Sequence, residues 1–131
     1  MKLNKETIEK VRTSITAFSI ENFYKNVAYF SGWIVTKPRI IKHDKSGQES
    51  VSLILVQFMR DSNGYAYYKT YNLISYMTPI IDMWKAQDKI CFVICECQLL
   101  FNVKTHNYYP QVYAMEIKDR LPYKLEEESE N

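Results

Sequence analysis

The stretch "RDSNGYAYYKTYNLIS" constrains the fold more than any other part of the chain. Its Asn63-Gly64 pair is a strong hairpin signal, because both residues accept the backbone conformations of a tight β-turn. The pair stands between two β-rich runs, Val51 to Arg60 and Tyr65 to Ile74. Strands joined this tightly must lie antiparallel. The second run opens with Tyr65, Tyr67, Tyr68 and Tyr71, and its only charge is Lys69. β-propensity accounts for tyrosine in a strand. A stacking platform is the sharper reading, since a phenol offers a flat ring with a polar end.

Strands and turns extend to both sides of the hairpin. Asn26 to Val35 reads as a first strand. "KPRIIKHDKSGQ" then bends at Pro38, gathers positive charge and turns at Ser46-Gly47. Thr78 to Trp84 reads as a short helix, with Pro79 suited to its first turn. Ile90 to Phe101 is nearly continuous in apolar residues, as in a strand covered on both faces, and Phe101 reads as core. "VKTHNYY" turns the chain into a last strand, Tyr108 to Ile117. The order β-β-β-α-β-β over residues 26–119 is a mainly β layout. It fits a five-stranded OB-fold barrel with a helix between strands three and four.

Two segments flank that domain. Residues 1–25 read as an N-terminal amphipathic helical extension, with Asn4 as its N-cap. Ile8, Val11, Ile15 and Phe18 recur at spacings of 3, 4 and 3, which makes one apolar stripe. The stripe packs on its own domain or docks on a protein partner; both readings stay open. Residues 120–131 read as an acidic flexible tail.

Composition narrows the function classes. The 131 residues suffice for one compact domain. No apolar run reaches the roughly 18–20 residues of a membrane helix, and the N-terminus has no signal-peptide core. Three cysteines without paired spacing point to a reducing, cytoplasmic location. Net charge is +2, but Lys124 and four glutamates fall after Tyr123. Without them 16 basic and 11 acidic residues remain, a balance of +5 that suits a mild affinity for polyanions. Enzyme signatures are missing, and no cofactor is expected. His43 and His106 lie in separate turns, Cys91, Cys95 and Cys97 read as small apolar residues of one strand, and no phosphate-binding glycine loop occurs.

Three stretches carry a family resemblance. "NVAYFSGWIVTKP" keeps a proline six residues after a glycine, Gly32 to Pro38. "SGQESVSLILVQF" is a turn followed by an apolar strand. "YKTYNLISYMTPIIDMWKAQDKICFVICECQL" runs through strand, helix and strand to Glu96, Cys97, Gln98 and Leu99. Together they resemble the bacterial single-stranded DNA-binding protein family over residues 26–119. The chain departs from that pattern in its 25 preceding residues and in its acidic end, "EEESEN", which has no apolar tip.

The resemblance implies a protein of DNA replication or recombination. It would hold single-stranded DNA by stacking bases on aromatic rings and neutralising phosphates. It sets the DNA-facing aromatic of strand three at Tyr68, with Thr70 and Asn72 outward and Tyr71 and Leu73 inward. The charge of Lys69 argues the opposite parity, with Tyr65 and Tyr67 on its face. A bulge near Lys69, or a place at the barrel mouth, reconciles the two. Further candidates are the rings of Trp33, Phe58, Tyr108 and Tyr109. The cationic candidates are Lys37, Arg39, Lys42, Lys45, Arg60 and Lys104. Tyr29, Trp33 and Val35 share a face of strand one that serves a homo-oligomer interface or a seat for the N-terminal helix. The alternative is an accessory subunit that docks on a polymerase, primase or helicase through Ile8, Val11, Ile15 and Phe18. A small member of this kind suits a plasmid, phage or other mobile element.

Overall fold

The computed structural model describes residues 4–14 and 26–127. The elements are α1 (Lys5–Ser14), β1 (Val27–Ile34), β2 (Arg39–Lys42), β3 (Glu49–Arg60), β4 (Ala66–Ser75), α2 (Thr78–Ala86), β5 (Lys89–Asn102) and β6 (Asn107–Lys124). They form one sheet in the order β1-β5-β6-β4-β3-β2, with β1 also meeting β3. That last contact closes a barrel of β1, β3, β4, β5 and β6. The expected OB architecture is therefore present, with α2 between the barrel's third and fourth strands.

Closure depends on Gly32. A Cβ there would lie 2.7 Å from the Val56 carbonyl oxygen and 3.0 Å from the Leu55 side chain. Only glycine lets β1 pass so close to β3, which it meets at Trp33 opposite Val56. The barrel interior is filled by alternate residues: Val51, Leu53 and Leu55 of β3, and Cys91, Val93, Cys95 and Cys97 of β5, all fully buried. α2 plugs one end with Ile80, Ile81 and Trp84. Pro79 occupies its first turn as expected.

The structure corrects four expectations. The 39–42 stretch, read as part of a bent loop, is strand β2, paired with β3 from Arg39↔Ser52 to Lys42↔Glu49. β5 is not covered on both faces. Its inner residues are buried, whereas Phe92, Ile94 and Glu96 on the outer face are partly exposed. The last strand continues seven residues past Ile117 to Lys124. The segment after residue 119, read as flexible tail, is thus strand through Lys124, and the Glu126 N–H still donates to the Val35 carbonyl at 2.8 Å. Its register with β5 shifts near Phe92/Val93 and Glu96/Cys97, and such bulges hide the simple alternation that sequence reading follows.

α1 is capped as the sequence implied. The Glu6 N–H donates to the Asn4 side-chain oxygen at 2.8 Å. None of its residues is buried. Ile15 and Phe18 lie outside the described residues. No helix among the described residues is long and apolar enough to cross a membrane.

Candidate nucleic-acid interface

Two hairpins outrun the barrel. Every residue from 58 to 70 is exposed in the β3–β4 hairpin, and every residue from 101 to 109 in the β5–β6 hairpin. β4 and β6 meet in parallel at Ile74↔Gln111. Their preceding residues therefore lead in the same direction, so both hairpin arms leave the same end of the barrel. α2 follows β4 at the other end. Asp61 builds the first tip: its carboxylate accepts from the Asn63 and Tyr65 N–H groups, both at 2.9 Å, and Gly64 takes φ +84°.

The β3–β4 ladder is regular from Val51↔Ser75 to Arg60↔Ala66. The parity conflict therefore resolves without a bulge. Phe58 lies opposite Tyr68, Val56 opposite Thr70 and Ile54 opposite Asn72, all on the outer face. Tyr67, Lys69 and Tyr71 continue the inner face, where Tyr71 packs on Phe30 with ring centroids 5.4 Å apart. Beyond Tyr71 the ladder has left the barrel, so Lys69 and Tyr67 reach solvent from a face that is core two residues on. The barrel mouth, not a bulge, reconciles the two readings.

The outer face runs from a ring pair into a groove. Phe58 is 64% and Tyr68 67% exposed, directly opposite each other. Further along, Ser52, Ile54 and Asn72 form the side of a groove of about 320 Å³, completed by Thr36, Lys37, Pro38 and Arg39. The loop carrying Lys37 is held in place. The Lys37 N–H donates to the Glu126 carbonyl at 2.8 Å, and Thr36 bridges to Glu126. Trp33 sits beside this face, opposite Val56 and edge-on to Phe92 at 5.2 Å.

Other sequence candidates fall elsewhere. Tyr65 is at the arm's tip. The Arg60 guanidinium donates to the Gly64 carbonyl at 3.0 Å, which staples the hairpin. Lys42 ends β2 opposite Glu49, and Lys45 lies in the next turn. Lys104, Tyr108 and Tyr109 belong to the β5–β6 arm. There Tyr108 lies opposite Phe101, with ring centroids 5.1 Å apart, and His106 approaches the Phe101 ring at 6.2 Å. Phe101, read as core, is 48% exposed on this arm. His106 takes φ 57°, a left-handed conformation uncommon outside glycine.

The structure thus brings Trp33, Lys37, Arg39, Phe58, Tyr68 and Thr70 to one face, and sets Tyr67, Lys69, Lys104, Tyr108 and Tyr109 on the arms. Sequence reasoning left Ser52, Ile54 and Asn72 out of the candidate set. Asn72 carried a signal: asparagine is disfavoured inside a strand.

A second polar cluster occupies the outer face of β1, β5 and β6. The Tyr29 hydroxyl donates to Glu96 Oε1 at 3.0 Å. The Glu96 carboxylate also engages Tyr113, and this hydrogen bond, with burial behind it, pushes that phenol up to about 12. Burial raises the Cys95 thiol to about 12 and the Cys97 thiol to about 11. These cysteines act as small apolar core residues. Among the described residues no group of three or more His, Cys, Asp or Glu side chains could hold a metal ion.

The barrel, its helix and its two arms define an OB fold of the kind found in single-stranded DNA-binding proteins. The mitochondrial single-stranded DNA-binding protein Rim1 of S. cerevisiae matches with a TM-score of 0.57 at 10% identity, over 74% of this chain and 97% of that one. The Plasmodium falciparum SSB, solved in complex with ssDNA, matches with a TM-score of 0.50 at 18% identity, over 73% and 96%. No family model matches the chain, and no curated protein matches it in sequence. The likeness is one of fold.

Proposed function

We propose that the protein binds single-stranded DNA, stacking bases on Phe58 and Tyr68 and holding phosphates along Lys37 and Arg39, in DNA replication or recombination. The observation that carries this reading is the exposed Phe58–Tyr68 pair on an outer face that continues into a groove edged by two cations. Stacking is indifferent to sequence, because every base has a π-face. The fold neighbours that bind single-stranded DNA support the same reading. Titration of a labelled dT oligonucleotide at two salt concentrations tests it. Affinity falls by roughly 0.7 log units per log unit of salt for each phosphate neutralised. Lys37→Ala with Arg39→Ala flattens that slope. An absence of binding at low salt removes the reading.

The exposed α1 favours a companion role. Ile8 and Val11 are 38% and 53% exposed among the described residues, and they offer an apolar pair for docking on a replication enzyme. Deleting residues 1–25 abolishes capture by that enzyme and leaves DNA binding intact. Loss of neither sinks the docking role. Tyr29 and Trp33 on β1, with Val35 just past its end, form a self-association face or a seat for the N-terminal helix, and a mass measurement with and without oligonucleotide separates the two.

A further inference from the structure

We infer that the groove beside Lys37 is a base-discriminating subsite, where the Asn72 carboxamide reads the edge of one unpaired nucleobase, adenine foremost. The inference rests on the single-strand reading above and sharpens it from a platform indifferent to sequence to one with a single selective position.

Asn72 is a poor residue for the middle of a strand. It is exposed on the outer face, directly opposite Ile54. Its carboxamide makes no hydrogen bond among the described residues. A free amide there keeps both a donor and an acceptor for a ligand. The surroundings fit a base and its phosphate. Ile54 and the buried Pro38 give an apolar wall for the flat ring, while Ser52 and Thr36 add hydroxyls. Arg39, opposite Ser52, and Lys37 edge the groove with positive charge.

Position along the strand agrees. Tyr68, Thr70 and Asn72 point the same way, so Asn72 lies roughly 13 Å from Tyr68 along β4. Two extended nucleotides cover that span. One base stacks on Tyr68 and Phe58 while another on the same strand enters the groove. A carboxamide pairs with the amine edge of adenine through one donated and one accepted hydrogen bond; cytosine presents the same pair of groups, thymine the reverse pair, and adenine's larger ring covers more of the apolar wall.

The test measures affinities of oligo(dA), oligo(dC) and oligo(dT) of one length, at one salt concentration, for the full chain and for Asn72→Ala. Comparing the change in the dA:dT ratio cancels the unequal stiffness of the free strands. The expected result is a ratio about tenfold lower in the variant, with dT affinity within twofold of the original. An unchanged ratio overturns the subsite. An equal loss for all three oligonucleotides also overturns it, since Asn72 would then hold backbone rather than base. If the full chain binds none of them, the single-strand reading itself fails. Asn72 is exposed, so thermal unfolding of the variant should match the original and rule out a folding defect.

Discussion

Replacing Tyr68 with leucine tests whether the outer face of β4 binds nucleic acid as proposed. Tyr68 is 67% exposed and its opposite residue Phe58 is 64% exposed. Little buried area is lost on truncation, so stability should change by no more than about 0.5 kcal/mol. Each base–ring stack contributes roughly 1–3 kcal/mol. In Kd that is about 5- to 150-fold. Tyr68 and Phe58 are direct cross-strand neighbours, with Cβ atoms about 5 Å apart, so they hold one base or two adjacent ones. The double variant should therefore lose less than the sum of the single losses. Fluorescence anisotropy with a labelled dT oligonucleotide at low salt reads all three. Tyr67→Leu is the control, because Tyr67 lies on the opposite face, across from Met59. Its affinity should stay within twofold. A large loss in Tyr67→Leu with none in Tyr68→Leu would refute the outer-face reasoning and send the strand between the two arms.

Three further outcomes follow from the geometry. Gly32→Ala drives a Cβ to 2.7 Å from the Val56 carbonyl, where backbone must move, so calorimetry should find at least about 1–3 kcal/mol lost; an unchanged Tm would contradict the closure account. Converting Glu127, Glu128 and Glu130 to glutamine should raise oligonucleotide affinity at low salt and not at high salt, because Glu126 is bonded beside Lys37 and the acidic run starts there; equal affinities would show that the run does not affect the groove. The buried thiols should resist a thiol reagent at pH 8 in the folded protein. Their folded values, about 12 for Cys95 and 11 for Cys97, are raised above the ordinary 9.0, so their stabilisation is complete below pH 9 and is lost as pH rises towards 12. Tyr113 adds to that loss between pH 10 and 12, and a flat alkaline unfolding profile would contradict both.

The hairpin signal, the glycine of β1 and the helix after β4 made the barrel legible, because each is a local feature. Asn63-Gly64 signals the hairpin, although the turn forms at Ser62-Asn63 with the Gly64 N–H donating to the Asp61 carbonyl, and Pro79 marks a helix start. What was not legible depends on non-local pairing. Arg39–Lys42 becomes strand only because β3 offers it a free edge from Ser52 to Glu49. The extension of β6 past Ile117 is hidden by bulges that break the alternation. Phe101 reads as core by composition, yet its strand has left the barrel by that point. The site was legible by residue type rather than by face. Tyr68 and Phe58 were both named as rings, but only the ladder register sets them opposite each other. Asn72 was placed outward by the family resemblance, against the parity that the charge of Lys69 suggested, and the groove beside it needed the Lys37 loop to come across from the end of β1.

That loop shows why the face can act as one unit. Lys37 sits on an irregular segment, which alone would cost ordering entropy each time it gripped a phosphate. Here the segment is bonded on both sides of Thr36: the Glu126 N–H donates to Val35, and the Lys37 N–H donates to Glu126. Pro38, buried behind it, fixes the chain further. The ring pair stands on a regular two-stranded ladder, whose register sets Phe58 opposite Tyr68. On the proposed reading, the cationic edge is therefore in place before a ligand arrives, and most of the ordering at the groove falls on the nucleic acid. The acidic residues follow directly from that same tie. Any change that loosens Glu126 should weaken the cationic edge through disorder, even as it removes nearby negative charge. Glu127, Glu128 and Glu130, which lie beyond the tie, separate the electrostatic effect from the structural one.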